Sequence, residues 1–430
     1  MAEMHNPYGK RPGGGITLPD YYRPTPSCTS NNFFPPNEPL AKHEMRICFT
    51  GSTPWPPTLK QSGTSIVLEL GNGTPFPRRL FFDFGNGCVK NILQMGIQPP
   101  LIRDIFISHL HVDHYADLPY LYPFRAWMGG WKNGLRIFGP SGDTPENGTK
   151  YMIENMKNML HWHLENFDHC PIGEGYDIDV HEFDYKDDNG ICLQEEGLTV
   201  RHWGRSHVKS GASAFRVDWE EAGLSFVWTG DGRPDETTIE FAKGCDIFVT
   251  EGQADVVKLL HYKYGTPEEV LKYTLDTYHT PYYAAGYLMS KINPRAGVIC
   301  HYSEEDEGES IAEIRAHWPG LFIYGGPDIK VINVTKDRVW SRMALRPESA
   351  AMSMPPLRDV FPEGQIPDEI QIPKPRLPRE EQQDAYLRER ELDPNVYFPP
   401  DVNRELVQHY SEDTFKLDVK AIIAAQEHTD

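Results

Sequence analysis

Short runs of β-branched and aromatic residues recur along the chain, and turn-forming residues such as Gly51 and Gly85 bound them. Runs of this length and composition predict β-strands, because such side chains pack well on a pleated, half-buried surface. The predicted strands cover residues 45–50, 65–70, 79–83, 104–108, 198–202, 224–229, 246–250, 296–300, 321–324 and 329–334.

Stretches between these runs have the spacing of amphipathic helices. Residues 142–164 carry apolar side chains four residues apart. The Thr-Pro-Glu-Glu of residues 266–269 forms a capping box that predicts a helix through residue 278, and Thr280 with Pro281 predicts a second helix start. Strands that alternate with helices predict an α/β protein with layered sheets.

The two ends of the chain differ in composition from the middle. Residues 1–43 are rich in Pro, Gly and Asn, and prolines recur among charged residues beyond about residue 340. We therefore predict an N-terminal arm over 1–43, a catalytic domain over 44–340 and a C-terminal extension over 341–430. The extension is either a simple surface segment or an arm that wraps a second copy of the chain. With the second reading, we expect a homo-oligomer in the form of a dimer.

The charge and cysteine content limit the class of protein. The net charge is −20 over 430 residues, which disfavours nucleic acid and anionic membranes as partners. The seven cysteines include no Cys-Xaa-Xaa-Cys pair, so we expect reduced thiols. The N-terminus has no apolar signal region and no apolar run is long enough to span a bilayer, so we expect a soluble cytoplasmic protein.

The strongest chemical signal is the sequence Ser-His-Leu-His-Val-Asp-His at residues 108–114, directly after a predicted strand. It places four potential metal ligands, His109, His111, Asp113 and His114, in one turn. Imidazole and carboxylate groups suit Zn²⁺, Fe and Mn²⁺, and a tight turn can direct them to one point. The motif therefore predicts a metal site.

This motif resembles the HxHxDH signature of the metallo-β-lactamase superfamily. Further elements of that signature follow in the same order: His207 after Gly-Arg-Ser, Asp231 in Trp-Thr-Gly-Asp, and His301 in Val-Ile-Cys-His. Asp83, in Phe-Phe-Asp-Phe-Gly, is similar to an early aspartate that orients the ligands in that superfamily. The resemblance covers about residues 45–335 and implies a four-layer αββα sandwich of two β-sheets flanked by helices.

The resemblance also implies a binuclear centre with two Zn²⁺, or Fe or Mn²⁺ in their place. His109, His111 and His207 would hold the first metal, whereas the second would be held by Asp113, His114 and His301, with Asp231 bridging both. Two metals at about 3.5–4 Å share a water and lower its pKa, which implies a metal-bridged hydroxide as nucleophile, with Asp113 as a proton acceptor.

Shorter motifs resemble the tRNase Z and arylsulfatase-like branch of the superfamily. These are Gly-Ser-Thr-Pro at 51–54, Ile-Phe-Gly-Pro at 137–140 and Thr-Gly-Asp-Gly-Arg-Pro at 229–234. The Tyr-His-Thr at 278–280 is similar to an element of that branch whose histidine takes part in proton transfer. His279 is therefore a candidate general acid held by Glu251, with a purely structural role as the alternative.

The acidic composition of residues 173–197, in which Lys186 alone opposes the carboxylates, favours a small-molecule substrate over RNA. We expect hydrolysis of an ester, lactone, phosphoester or sulfate-ester bond, with Arg125, Trp127 and Arg205 as candidate substrate contacts and Lys209 as another cation for an anionic group. For each of the three cations, an ordinary surface or packing role is the favoured alternative. The alternatives are a tRNase Z-like endonuclease that processes RNA 3′ ends and an iron-dependent redox enzyme. The complete ligand set disfavours a non-enzymatic protein.

Overall fold

The structure of the protein is a computed structural model, and it describes residues 32–33, 38–55, 57–74, 76–127, 134–167, 174–195, 197–253, 265–273, 277–302, 307–326 and 329–345. The strands are β1 (Asn32–Phe33), β2 (Met45–Gly51), β3 (Ser65–Leu70), β4 (Arg78–Phe82), β5 (Asp104–Phe106), β6 (Leu135–Pro140), β7 (Ile178–Phe183), β8 (Gly190–Glu195), β9 (Leu198–Gly204), β10 (Ser213–Trp219), β11 (Leu224–Trp228), β12 (Ile247–Thr250), β13 (Ala296–Ile299), β14 (Phe322–Tyr324), β15 (Lys330–Val334) and β16 (Val339–Ala344).

The helices of the described residues lie between these strands. They are α1 (Cys88–Gln94), α2 (Leu118–Trp127), α3 (Thr149–Met159), α4 (His161–Asn166), α5 (Glu236–Ala242), α6 (Glu268–Leu271), α7 (Tyr282–Ile292) and α8 (Glu307–Arg315). Short 3₁₀ turns occupy Pro99–Leu101, Val112–His114 and Pro145–Asn147.

The strands form two mixed sheets. A nine-stranded sheet has the order β1-β16-β15-β2-β3-β4-β5-β6-β7, and a seven-stranded sheet has the order β14-β13-β12-β11-β10-β9-β8. One apolar cluster fills the space between the sheets, and it includes Phe82 and Phe106 from the first sheet and Phe226 from the second. The inner faces therefore pack against each other as in a sandwich.

Helices cover the outer face of each sheet. Helices α1, α2 and α3 contribute to a second apolar cluster with the nine-stranded sheet, for example through Ile92 and Ile153. Helices α5, α7 and α8 contribute to a third cluster with the seven-stranded sheet, for example through Leu288 and Ile314. The arrangement confirms the predicted four-layer αββα sandwich.

Strand direction determines where the functional loops lie. Strands β4, β5 and β6 run parallel, as do β11, β12 and β13. Strand β9 has the direction of β11, because each is antiparallel to β10. The loops that leave the carboxyl ends of these strands are where α/β sheets usually bind ligands.

The predicted strands all correspond to observed strands, with ends that differ by up to two residues. The helix predicted at residue 280 is α7, whereas the helix predicted through residue 278 is observed only as α6, and residues 277–279 form a turn and a bend. Residues 274–276 lie outside the described residues. No helix that the structure describes has both the length and the apolar composition to cross a membrane.

The nine-stranded sheet includes residues on both sides of the predicted 44–340 domain. Strand β1 pairs in parallel with β16, and its Phe33 is 2% exposed. The guanidinium carbons of Arg46 and Arg342 lie 4.8 and 5.1 Å from the centroid of the Phe33 ring. This cation–π packing anchors β1 in the sheet. Most of the predicted arm and of the 341–430 extension lies outside the described residues, so those domain limits stay predictions.

We expect Phe33→Ala to destabilise the protein by about 3 kcal/mol, because it removes a buried ring that packs against two guanidinium groups. Urea unfolding followed by circular dichroism measures the change as a lower midpoint. The matched control is Trp55→Ala, whose side chain is 73% exposed, and we expect it to change stability by less than about 0.5 kcal/mol. Equal midpoints for both variants would contradict the anchoring role of Phe33.

Candidate metal centre

The loops at the carboxyl ends of the strands bring the predicted ligands to one edge of the two sheets. The loop after β5 carries His109, His111, Asp113 and His114. The loops after β9, β11 and β13 add His207, Asp231 and His301.

Three of the histidines form one group. Nε2 of His109 lies 3.0 Å from Nδ1 of His111, and Nε2 of His207 lies 3.1 Å from the same His111 atom. One ring nitrogen from each histidine falls within a common span of 4.8 Å. Three imidazole nitrogens that converge in this way can hold one metal ion.

A second group forms around Asp231. Its Oδ2 lies 3.4 Å from Nε2 of His114, 3.3 Å from Nε2 of His301 and 3.9 Å from Nε2 of His109. Oδ2 of Asp113 lies 3.4 Å from Nε2 of His301. Asp231 therefore lies between the two groups.

Hydrogen bonds from the far ring nitrogens orient the histidines. Nδ1 of His207 bonds to the carbonyl oxygen of Tyr278 at 3.1 Å. Nδ1 of His109 lies 3.1 Å from Oγ of Ser108, whose own proton goes to Asp83. Such bonds fix the tautomer in which Nε2 is free to act as a ligand.

Asp83 is the centre of the hydrogen-bond network behind the ligands. Its Oδ1 accepts from the Ser108 backbone N–H at 2.7 Å. Its Oδ2 accepts from Ser108 Oγ at 2.8 Å, from His114 Nδ1 at 2.9 Å and from Trp228 Nε1 at 2.8 Å. The sequence indicated Asp83 as an orienting residue but missed Ser108 and Trp228, because no spacing rule links Asp83 to a residue in the other sheet.

The electrostatic environment favours deprotonated ligands in the first group. Burial lowers the pKa of His207 to about 4 and holds the pKa of His109 well below its usual range. Both imidazoles are therefore neutral at physiological pH, which is the form that binds metal.

The second group favours positive charge. Burial alone would raise the pKa of Asp231, but the charges of His301 and His114 hold it well below its usual range. Burial alone would lower the pKa of His114, but Asp231, Asp83 and Asp113 raise it well above that range. A buried cluster of carboxylates needs cationic partners of this kind.

Two buried polar atoms in the cluster make no hydrogen bond within the described part of the chain. They are Nε2 of His114 and Oδ1 of Asp231. Buried polar atoms normally have a partner, and a cation that displaces the Nε2 proton of His114 would be a partner for both atoms. The cluster is compatible with a binuclear metal site.

A histidine–glutamate pair adjoins the cluster. Nδ1 of His279 lies 2.6 Å from Oε2 of Glu251, and Oε1 of the same glutamate accepts from the Gly232 backbone N–H at 2.7 Å. Burial lowers the pKa of His279, but the charge and hydrogen bond of Glu251 outweigh it and raise that pKa to about 9. Glu251 thus orients His279 and stabilises its proton.

Two site residues have left-handed backbone conformations. Asp83 has φ of 56° and His301 has φ of 59°. This region is uncommon for residues other than glycine and is concentrated at functional sites, where the surrounding structure holds it. Asp83 directly follows β4, and His301 lies two residues after β13, so the end of a strand holds each backbone in place.

The structure gives Arg125 the packing role that was the alternative to a substrate contact. Its side chain is fully buried, its Nε donates to the carbonyl oxygen of Ile102 at 2.6 Å, and its Nη2 bonds to that of Pro100. A guanidinium in this position satisfies buried carbonyl groups and cannot reach a substrate. Trp127 ends helix α2, and its side chain lies outside the described residues.

Arg205 is also a structural residue instead of a substrate contact. Its guanidinium is buried, forms an ion pair with Asp235, and donates to Thr238 Oγ1 at 2.7 Å and to the Gly232 carbonyl oxygen at 2.9 Å. These bonds hold the loop that carries Asp231. The physical reason for the misassignment is that sequence position places Arg205 near the metals but does not show which way its side chain points.

A cavity of about 290 Å³ opens beside the first histidine group. Its walls combine apolar side chains with one cation, Lys209, and one carboxylate, Glu146, and His109, His111 and His207 also line it. The other lining residues include Leu110, Tyr115, Met152, Asn147, Lys209 and Ser210. Lys209 is exposed, whereas the other two cations suggested by the sequence, Arg125 and Arg205, are buried.

No family model matches the chain. Ribonuclease Z of Bacillus velezensis is 25% identical over 320 residues, which cover 64% of this chain and 92% of that protein. Ribonuclease BN of Salmonella paratyphi B is 37% identical over 243 residues, which cover 49% of this chain and 77% of that protein. The chain belongs to the tRNase Z branch of the metallo-β-lactamase superfamily.

This family assignment confirms the predicted resemblance, and the protein is a metal-dependent hydrolase. Ribonuclease Z of Pyrococcus furiosus is also similar, at 25% identity over 264 residues that cover 55% of this chain and 79% of that protein. The crystal structure of human tRNase Z, short form, overlaps 67% of this chain and 98% of its own with a TM-score of 0.48 and 17% identity.

The prediction that nucleic acid is disfavoured and that the substrate is a small molecule is wrong. These relatives are named ribonucleases, which contradicts both parts of the prediction. The prediction of a dimer depended on the 341–430 extension, which lies outside the described residues from 346 onwards.

The structure gives a physical reason for this error. The acidic segment forms β7 and β8 at the edges of the two sheets. Glu195 of β8 is 3.0 Å from Arg78 Nη2 and 3.0 Å from Arg136 Nη2, and Glu182 of β7 accepts from the Lys150 backbone N–H at 2.7 Å. The charge of Glu195 is therefore partly neutralised by two guanidinium groups, so a count of the acidic residues in the segment overstates its negative charge.

We expect His111→Ala, after loading with zinc as a probe metal, to bind about one ion per chain where the wild type binds about two, because it removes one of three candidate ligands of the first group. Elemental analysis after dialysis against zinc-containing buffer measures the ratio. His181→Gln is the control, because His181 has a 42% exposed side chain and pairs with Asp179 outside the cluster. An unchanged zinc content in His111→Ala would contradict the assignment.

Proposed function

We propose that this protein is a metal-dependent endonuclease that hydrolyses a phosphodiester bond in RNA, in the manner of tRNase Z-like processing of RNA 3′ ends. The observation that carries the proposal is the 37% identity to ribonuclease BN of Salmonella paratyphi B over 77% of that protein. The histidine and aspartate cluster supplies the site at which such a reaction would take place.

In this proposal the two groups of ligands hold two metal ions. His109, His111 and His207 hold one, and the second is held by Asp113, His114 and His301, with Asp231 between them. Zinc is the proposed metal, because neutral imidazole and carboxylate ligands suit it. When bound, a metal pair supplies an activated water and neutralises negative charge on a phosphate. Iron in the purified protein would contradict the choice of zinc.

The side chains around the metals manage the protons of the reaction. The attacking water loses a proton as the new P–O bond forms, and in this proposal Asp113 accepts it. The leaving oxygen needs a proton as the old P–O bond breaks, and in this proposal His279 donates it. Glu251 holds Nδ1 of His279 at 2.6 Å, which leaves Nε2 for the substrate.

Cleavage of a precursor tRNA with a 3′ trailer tests the proposal. We expect wild-type protein that contains about two zinc ions per chain to release the trailer at one position, which mapping of the product ends would locate. Intact RNA after incubation with fully loaded protein would contradict the proposed function.

We expect His279→Gln to lower the single-turnover cleavage rate by about 10²–10⁴-fold, because the leaving oxygen loses its proton donor. Zinc content should stay at the wild-type value, since His279 is outside both proposed ligand sets. His317→Gln, at an exposed position whose ring lies 6.2 Å from Tyr287, is the control. A wild-type rate in His279→Gln would exclude the general-acid role.

We expect Lys209→Ala to raise KM several-fold with little change in kcat, because Lys209 lines the cavity beside the metals and would contact a phosphate of the bound RNA. The dependence of log(kcat/KM) on log(salt) should become shallower by about 0.7, the value for one phosphate contact on a single strand.

Lys336→Ala is the matched control for Lys209→Ala. Lys336 is also exposed, but it follows β15, which runs antiparallel to β2 and therefore ends at the opposite edge of the sheet from the metal loops. Identical salt dependence in the two variants would refute a phosphate contact by Lys209.

A further inference from the structure

Trp228 is a buried residue at the end of β11 whose indole N–H is directed at the network behind the metals. Its side chain is fully buried, and Nε1 donates to Oδ2 of Asp83 at 2.8 Å. We propose that Trp228 is a positioning residue of the metal centre, which acts through Asp83 to orient His114. The inference rests on the proposed assignment of His114 as a metal ligand.

The hydrogen bond joins the two sheets at the site. Asp83 follows β4 of the nine-stranded sheet, and its other donors in the described structure, Ser108 and His114, belong to the loop after β5 of that same sheet. Trp228 comes from the seven-stranded sheet. The indole is therefore the donor that fixes the position of Asp83 relative to the opposite sheet.

Asp231 follows Trp228 by three residues, so the same strand end carries a ligand and the indole donor. Nε2 of His114 lies 3.4 Å from Oδ2 of Asp231 across the boundary between the sheets. Because Asp83 holds Nδ1 of His114, any rotation of the Asp83 carboxylate moves the His114 ring. The Trp228 bond thus sets the separation of two ligands that come from different sheets.

A purely structural role for Trp228 would give a different result on substitution. The ring also packs in the apolar cluster between the sheets, so its volume stabilises the core. Trp228→Phe keeps an aromatic ring there and removes the N–H donor. Bonds behind metal ligands typically contribute 10–100-fold to metal affinity, and this bond serves His114 of the second group.

The test is zinc retention by the full-length protein. Zinc-loaded wild type and Trp228→Phe are dialysed against buffers of graded free zinc, and the zinc per chain is measured at each step. We expect the second zinc to be lost from Trp228→Phe at a free zinc concentration about 10–100-fold higher than in wild type. The first zinc, on His109, His111 and His207, should be affected less than the second, because Asp83 reaches that group only through Ser108 Oγ and His109.

Trp318→Phe is the matched control. Trp318 is 6% exposed, belongs to the third apolar cluster, and donates from Nε1 to the Leu321 carbonyl oxygen at 3.2 Å. We expect it to retain both zinc ions as wild type does. The proposal would be overturned if Trp228→Phe retained zinc as the wild type does. It would also be overturned if Trp228→Phe and Trp318→Phe lost both zinc ions to the same extent.

A second measurement uses the wild-type protein, in case Trp228→Phe does not fold. The indole N–H resonance of Trp228, assigned in protein with ¹⁵N-labelled tryptophan, should move when the second zinc is removed. The Trp318 resonance should not move. A Trp228 resonance that is insensitive to the second zinc would also overturn the proposal.

Discussion

A buried carboxylate, that of Asp83, is the group on which the rest of the site depends. It accepts hydrogen bonds from the Ser108 backbone, Ser108 Oγ, His114 Nδ1 and Trp228 Nε1, and so ties together the two sheets behind the ligands. A fully buried carboxylate is stable only when its oxygens are satisfied, and this requirement holds the loop after β5 against the end of β11. Its left-handed backbone conformation is a cost that this network offsets.

The cluster contains two electrostatic environments, which differ in the number of carboxylates close to the histidines. The histidines of the first group are held neutral because desolvation opposes their charge, with His207 as the example. The second group is dominated by the carboxylates of Asp113 and Asp231, which attract positive charge to His114. The outer pair of Glu251 and His279 adds a proton carrier at the rim, and Glu251 links it to the loop of Asp231 through Gly232. One edge of the sandwich therefore combines neutral ligands, anionic ligands and a proton donor.

The sequence predicted those strands and loops whose pattern lies within a few neighbouring residues. The apolar runs before His109 and Asp231 identified β5 and β11, and the HxHxDH motif identified the loop after β5 and the sandwich fold. Strand β10 was missed although Phe215, Val217 and Trp219 alternate with polar residues, while β7 and β8 were missed because edge strands carry acidic residues on exposed faces.

Side-chain direction was not predictable either: Arg125 and Arg205 are close to the metals in sequence but turn inward. The prediction of the substrate class was wrong because the summed charge of residues 173–197 takes no account of ion pairs such as that of Glu195 with Arg136.

Anomalous diffraction at the zinc edge, from crystals of the full-length protein grown with zinc, tests the central claim most directly. The account predicts two peaks about 3.5–4 Å apart, one among His109, His111 and His207 and the other among Asp113, His114 and His301, with Asp231 contacting both. A single peak, or peaks outside this cluster, would contradict the binuclear site on which the proposed RNA hydrolysis depends.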